Sequence, residues 1–575
     1  MNDIRHTILW VIFGFSIVML WDQWQVYNGR PATFFAHSTQ TADPTRLPAS
    51  TAARDGVPVA SHSITNTPVP AGTTTDLPTQ THEAEHQTIE VQTDVLKLTL
   101  DTEGGSLVRA ELLKHVDMAD KSKPVGKNFV LLDNTADHTY LAQSGLIASM
   151  SGGDAGALPT HKSRMTLMKG LRTLQDGSNT LELKFESPVE GGVRLLKTYT
   201  LTRGSYAVAV RHEIENMGTA AVAPQLYLQL VRHGSKPLGE SSFYSTFTGP
   251  AVYTDAKKYQ KVEFADIDKN KIDIERSSSN GYVAIVQHYF ASAWMLADGI
   301  KRELFMRKLS GNLYAVGMIA PLEPIAPGAR KTIEARFFAG PQEEKVLESL
   351  APGLELVKDY GWLTILAKPL YWLLDLLHTV IGNWGWAIVA LVVLLKAGFY
   401  WLNAKAYASM AKMKAINPKI MDMRERLKDN PQQMQQEMMR LYREEKVNPM
   451  GGCLPIVIQI PVFIALYWVL LASVEMRNAP WIGWIHDLSS PDPFYILPLV
   501  MTLTTVLQTS LNPEPPDPMQ AKMMWFMPLA FSVMFFFFPA GLVLYWITNN
   551  VLSIAQQWLI NVRMGVPPKF HWPTF

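Results

Sequence analysis

Met523-Met-Trp-Phe-Met-Pro-Leu-Ala-Phe-Ser-Val-Met-Phe-Phe-Phe-Phe-Pro-Ala-Gly-Leu-Val-Leu-Tyr-Trp546 opens a run of 40 residues without a charge, ending at Val562. As one helix it would reach about 60 Å at 1.5 Å per residue, twice the hydrocarbon thickness of a bilayer. Pro539-Ala540-Gly541 sits near its middle, so the run reads as two membrane spans, 523–538 and 541–560, joined by a tight hairpin. Towards the N-terminus, 493–511 and 452–474 are also uncharged, and 384–403 holds a single charge, Lys396. Five spans therefore fill 382–562.

The connectors orient them. Residues 404–449 carry ten Lys/Arg and six Asp/Glu, whereas 475–492 carry one Arg and three acids. Basic loops stay in the cytoplasm, so the first connector is expected inside, as a helical hairpin broken near Asn430-Pro431, and the second outside. The N-terminus, 1–25, has a basic start, an apolar run and then Trp21-Asp22-Gln23-Trp24 where a signal peptidase needs small residues. It reads as an uncleaved signal anchor. Six spans place both termini in the cytoplasm, including a short tail at 563–575.

The rest of the chain is of another kind. Residues 36–87, rich in Thr, Ser, Pro and Ala, cannot bury enough surface to offset their ordering entropy and read as a flexible linker. From 88 to 345 the pattern turns to period two, as in Leu96-Lys-Leu-Thr-Leu100 and Leu181-Glu-Leu-Lys-Phe185, with Gly104-Gly105 and Gly191-Gly192 as turns. Many short strands over such a length predict an antiparallel β-sandwich lying outside the membrane. Residues 358–381 return to an apolar face, interrupted by Lys368, Pro369, Asp375 and His378, which suits an amphipathic helix in the interface. The whole-chain net charge of +1 gives no argument for DNA binding. The sole cysteine, Cys453, excludes an intrachain disulfide. His212, His233 and His288 are scattered. No metal-ligand spacing, nucleophile elbow or phosphate loop stands out, so neither a cofactor nor an enzymatic activity is expected.

Lys396 is the sharpest candidate. A cation at the bilayer centre costs from about 2.5 kcal/mol upward, so it faces a wet cavity or a partner, unless its stem snorkels to the headgroups. Gln459, Thr505, Gln508, Ser532, Asn549 and Asn550 sit in the spans with it, as do Thr502, Thr504, Thr509, Thr548, Gln556 and Gln557. Amides at depth ask for a polar lining or for neighbouring helices. No acidic residue lies in any span, which argues against a pump or a cation-coupled transporter. In the basic connector, Met410, Met413, Met421, Met434 and Met438 are either core filler or an adaptable surface for apolar segments. Its excess basic charge suits anionic lipid headgroups.

Several stretches together, Lys446-Val-Asn-Pro-Met-Gly-Gly-Cys-Leu-Pro455, Gln459-Ile-Pro-Val-Phe463, Trp484-Ile-His-Asp-Leu488 and Phe538-Pro-Ala-Gly-Leu-Val-Leu-Tyr-Trp546, resemble the YidC/Oxa/Alb family of membrane protein insertases. The resemblance implies an α-helical polytopic protein of the bacterial inner membrane, with six transmembrane helices of which five form the insertase core. The β region resembles the family's periplasmic domain, similar in fold to sugar mutarotases, a likeness that carries no activity. It also implies a hydrophilic groove, with Lys396 where the family usually has arginine, and substrate contacts along spans holding Phe463, Leu466, Tyr545 and Trp546. Trp401 stands where a proline is common, and the short tail is a further departure. The partners implied are nascent membrane proteins, the Sec translocon, the ribosome and targeting machinery. A polytopic channel or transporter with a periplasmic binding domain is the rival reading, and a periplasmic sugar-acting enzyme the third.

Overall fold

The computed structural model describes residues 56–58, 87–117, 127–135, 138–148, 158–237, 246–427, 430–445, 454–512, 518–565 and 570. The anchor expected at 1–25, most of the linker, Cys453 and most of the tail lie outside the described residues. The rest forms two units, divided between Lys358 and Asp359.

The first unit is built from 18 strands: β1 (Thr88–Gln92), β2 (Leu96–Asp101), β3 (Ser106–Val116), β4 (Asn128–Thr135), β5 (His138–Ala148), β6 (Thr166–Leu167), β7 (Thr180–Glu186), β8 (Val193–Thr202), β9 (Ala207–Asn216), β10 (Pro224–His233), β11 (Gly249–Thr254), β12 (Lys258–Lys261), β13 (Ser277–Ser278), β14 (Tyr282–Val286), β15 (Phe290–Leu296), β16 (Arg302–Lys308), β17 (Leu313–Pro321) and β18 (Arg330–Pro341). Short helices α1 (Phe264–Asp268) and α2 (Glu344–Leu350) accompany them. One nine-stranded sheet has the order β1-β2-β3-β4-β5-β10-β17-β16-β13, the other β12-β11-β14-β15-β18-β9-β8-β7-β6. The named strand pairs are antiparallel. Alternation supplies the facing layers: Leu181, Leu183 and Phe185 of β7 point inward, while Glu182 and Lys184 stay exposed.

Polar groups stitch the layers. The fully buried Trp294 donates its indole N–H to the Gln229 carbonyl at 3.1 Å across the sheets. Lys197, also fully buried, donates to the carbonyls of Gly104 and Ser144 at 2.6 and 2.7 Å, and His212 Nε2 lies 2.9 Å from the Ser144 hydroxyl. Each pairing answers the cost of burying an unsatisfied polar group. Within the stretch expected to be a linker, Val57 packs against the buried Ile147, Tyr227 and Ile319 of this unit, as Phe305 does.

The second unit is helical: α3 (Thr364–Ile381), α4 (Trp384–Gly398), α5 (Tyr400–Arg426), α6 (Pro431–Glu444), α7 (Leu454–Ala472), α8 (Ile496–Leu511), α9 (Pro518–Met534) and α10 (Ala540–Arg563). Asn383 caps α4 by accepting from the Trp386 N–H at 3.1 Å, and its amide donates to the Pro480 carbonyl. A Cβ on Gly385 would stand 2.2 Å from Trp481, so glycine is what lets the 473–495 loop close over this end of α4. Asp492, almost fully buried, fastens the same loop by accepting from the Trp484 indole and the Phe494 and Leu497 amides. The start of α10 is held there too, Ala540 and Gly541 donating to the carbonyls of Ser490 and Leu488.

Two boundaries differ from the sequence reading. The span expected over 384–403 breaks at Phe399, where α4 and α5 meet at 68°. The tight turn at Pro539 is present, but α9 packs on α8 instead of lying mainly along α10. Among the described residues, α3 alone is long and apolar enough to cross a bilayer unaided, and the bent α4–α5 pair passes together. Thus α3, read from its charges as interfacial, is as long as a crossing helix.

Candidate functional site

Helix α10 is the polar hub of its unit. It is apolar at the start, with Leu542, Val543 and Leu544 buried in the core, and turns polar from Asn549 onward. Its polar residues recur at helical spacing, 549, 553, 556 and 550, 557, 561, so they face the neighbouring helices. Between them they reach four helices. Gln459 of α7 donates to Asn549 Oδ1 at 2.6 Å, and Asn550 donates to Thr505 Oγ1 of α8 at 2.9 Å. Lys396 of α4 donates to Ser553 Oγ at 2.7 Å, and the Ser553 hydroxyl donates to the Asn549 carbonyl. Gln556 donates to the Tyr400 carbonyl of α5 at 3.3 Å, and Gln557 to Asn512 at 3.2 Å.

Beside this network lies a cavity of about 40 Å³, with Lys396, Asn403, Gln459, Tyr545 and Asn549 as its polar wall and Val392, Leu395 and Val462 on the apolar side. It has room for roughly one or two waters, with enough polar partners to hold them. A cation, three amides and a phenol thus converge where four helices meet.

The structure sorts the expected residues. Lys396, Gln459, Asn549 and Tyr545 come together at the cavity, and Asn550 and Thr505 form the adjoining bond. Ser532 does not join them, because its hydroxyl donates to the Pro528 carbonyl of its own helix. Gln508 is half-buried on α8 and does not line the cavity. The amides are mostly engaged with neighbouring helices, and the described residues outline a small, partly open cavity beside them. Phe463 and Trp546 pack edge to face at 4.6 Å and are half-buried, while Leu466 is sealed in the bundle core and has no surface to offer a substrate. On the hairpin, Met413 and Met438 pack against the buried Ile416 and Ile420, Met410 and Met434 are half-buried, and Met421 is exposed. His212, His233 and His288 sit apart, His212 in the core and His288 stacked on Tyr289.

Asn403 and Ser553 are site residues that the sequence reading did not single out. Ser553 follows Asn549 by four residues, a helical spacing that pointed to it. The uncharged pattern makes Asn403 the end of a span, and only the break at Phe399 turns it into the cavity.

Comparison with known proteins follows this division. Residues 88–373 match the family model for the YidC periplasmic domain, and 376–566 that for the 60Kd inner membrane protein. The chain is 54% identical over 564 residues to the membrane protein insertase YidC of Burkholderia multivorans, covering 98% of this chain and 99% of that one. Identity is also 54% to the membrane protein insertase YidC of Cupriavidus necator, over 98% of each chain. Among solved structures, an active YidC insertase with its first transmembrane domain resolved matches at 18% identity and a TM-score of 0.37, covering 82% of this chain and 92% of that one.

Proposed function

Because the chain belongs to the YidC family of membrane protein insertases, we propose that it inserts and folds nascent inner-membrane proteins through the polar centre around Lys396. It is an inner-membrane protein with a periplasmic domain, and the antiparallel β unit is that domain. The observation that carries the mechanism is the inverted polarity of the helical unit. Asn549, Asn550, Ser553, Gln556 and Gln557 are buried, while Leu503, Phe526, Phe531 and Val533 are exposed. Polar groups inside and apolar groups outside suit a bundle whose solvent is lipid.

In this reading a client's polar tail enters from the cytoplasmic side, where Lys396 and the amides replace part of its hydration. That lowers the desolvation barrier which hydrocarbon imposes. The client's apolar segment moves into lipid past Phe463 and Trp546. For an acidic tail moving outward, the membrane potential adds about 2.3 kcal/mol per charge per 100 mV. No covalent step is needed. Six spans with both termini in the cytoplasm, and the α5–α6 hairpin there as well, rest on the basic excess of 404–449. The same excess supports contact with anionic lipid, and work with ribosomes, targeting machinery and the Sec translocon follows the family.

The test is site-specific photocrosslinking to stalled nascent chains. Probes at Phe463 and Trp546 should capture the client's apolar segment. Capture at exposed Val533, with none at those two positions, would refute the proposed path.

A further inference from the structure

Two strands of the first sheet do not alternate as a solvent-facing sheet should. In β10 and β17 nearly every residue is buried, so their outer face is covered. The register places Gln143, Gln229, Gly317 and Phe305 in one row across β5, β10, β17 and β16, and Gly145, Tyr227 and Ile319 in the next. Two positions are glycine for a reason. A Cβ on Gly145 would stand 2.5 Å from the Tyr227 hydroxyl, and one on Gly317 would stand 2.5 Å from the Phe305 ring. Without those side chains both rings lie low on the sheet. With Ile147 and Ile319 they make an apolar floor, and Val57 sits on it.

The neighbours of Val57 complete the seat. The Gly56 carbonyl accepts from Arg307 Nη2 at 2.8 Å and from Gln229 Nε2 at 3.2 Å. Both donors are held in place independently: Gln229 also donates to Gln143 at 2.9 Å, and the Arg307 guanidinium lies 5.5 Å from the centre of the Phe305 ring. Gly56 has φ +74°, a left-handed conformation that glycine adopts at no steric cost. Pro58 is buried, and with no N–H it leaves no donor unsatisfied there.

We propose that this face is a peptide-docking cleft whose resident occupant is the chain's own Gly56-Val57-Pro58, a clip that holds the segment before the β unit against its outer face. The recognition is chemical: a guanidinium and an amide read one main-chain carbonyl, and an aromatic-aliphatic floor takes one branched side chain. The clip fixes the N-terminal part of the chain to the β unit at residue 56 instead of residue 87. That removes about 100 Å of maximal reach, at about 3.3 Å per residue of extended chain.

The test uses the full-length protein in detergent with Cys453→Ser. Val57→Cys is combined with Leu309→Cys, whose native leucine lies beside Gly56. A short bis-maleimide should join the pair within one molecule, at least tenfold more than Val57→Cys with exposed Val189→Cys. Adding Gly56→Val, which strains the left-handed residue, should cut the yield about tenfold without altering the melting of the β unit. Equal yields for the two pairs, crosslinked dimers in place of intramolecular links, or insensitivity to Gly56→Val would each overturn the clip.

Discussion

Lys396 has one charge and, in this structure, one hydroxyl to share it with. That leaves most of its donor capacity facing the cavity, and the proposed role assigns it to a client carboxylate. Lys396→Arg should support insertion, since charge is kept and a second donor edge gained. Lys396→Glu should reduce insertion of clients with acidic translocated tails at least several-fold, measured by protease protection of the tail. Equal protection in both variants would exclude the electrostatic role. Lys197 and His212 make a different residue-scale case. Burial drives Lys197 down to about 7 from 10.5, and burial together with the nearby Lys197 charge drives His212 down to about 3 from 6.5. A base whose pKa is lower when folded binds fewer protons in the native state across the gap, so stability rises with pH there. The melting temperature of the β unit should climb from about pH 3 to 6.5 through His212 and again from about pH 7 to 10.5 through Lys197. Lys197→Met should flatten the alkaline limb in scanning calorimetry and, by removing a charge that helps to depress His212, shrink the acid limb in part. An unchanged alkaline slope would mean that the lysine is hydrated when folded.

Elements were legible where one physical force dominates. Period-two stretches at 96–100 and 181–185 overlap β2 and β7 because one strand face is buried and the other wet. Uncharged runs at 452–474 and 493–511 overlap α7 and α8 for the matching reason that charge is excluded. Legibility failed where a tertiary contact decides. Nothing local marks Phe399 as a break, and the covered outer face of β10 and β17 was invisible because its cover lies far away in sequence. The candidate site was half legible: residue types at depth were evident, but not which of them would bond to neighbouring helices and which would line the cavity. Such bonds are worth about 0.6 kcal/mol on average inside membrane bundles. Gln459→Leu and Asn549→Leu should each destabilise the helical unit, and the double variant should fall short of their sum by about that amount. Additive losses would show that the 2.6 Å contact carries no coupling.

At the scale of the whole molecule, the net charge of +1 conceals unequal parts: 37 basic and 40 acidic residues precede Gly382, and 15 and 11 follow from it. The division of labour follows the division of structure, because every group at the polar centre lies in the helical unit. Removing residues 36–340 should therefore leave insertion of a simple client largely intact, measured in proteoliposomes. Loss of insertion with the helical unit still folded would assign work to the β unit. The kink at Phe399 carries a mechanical corollary. A 27-residue helix such as α5 is about 40 Å long, so opening or closing the 68° angle by about 10° would swing its far end by about 7 Å. Spin labels at Val393 and Arg426 would register that swing as a distance change. A rearrangement no larger than a side chain, three residues from Lys396, would thereby be geared up into a stroke at the hairpin's tip.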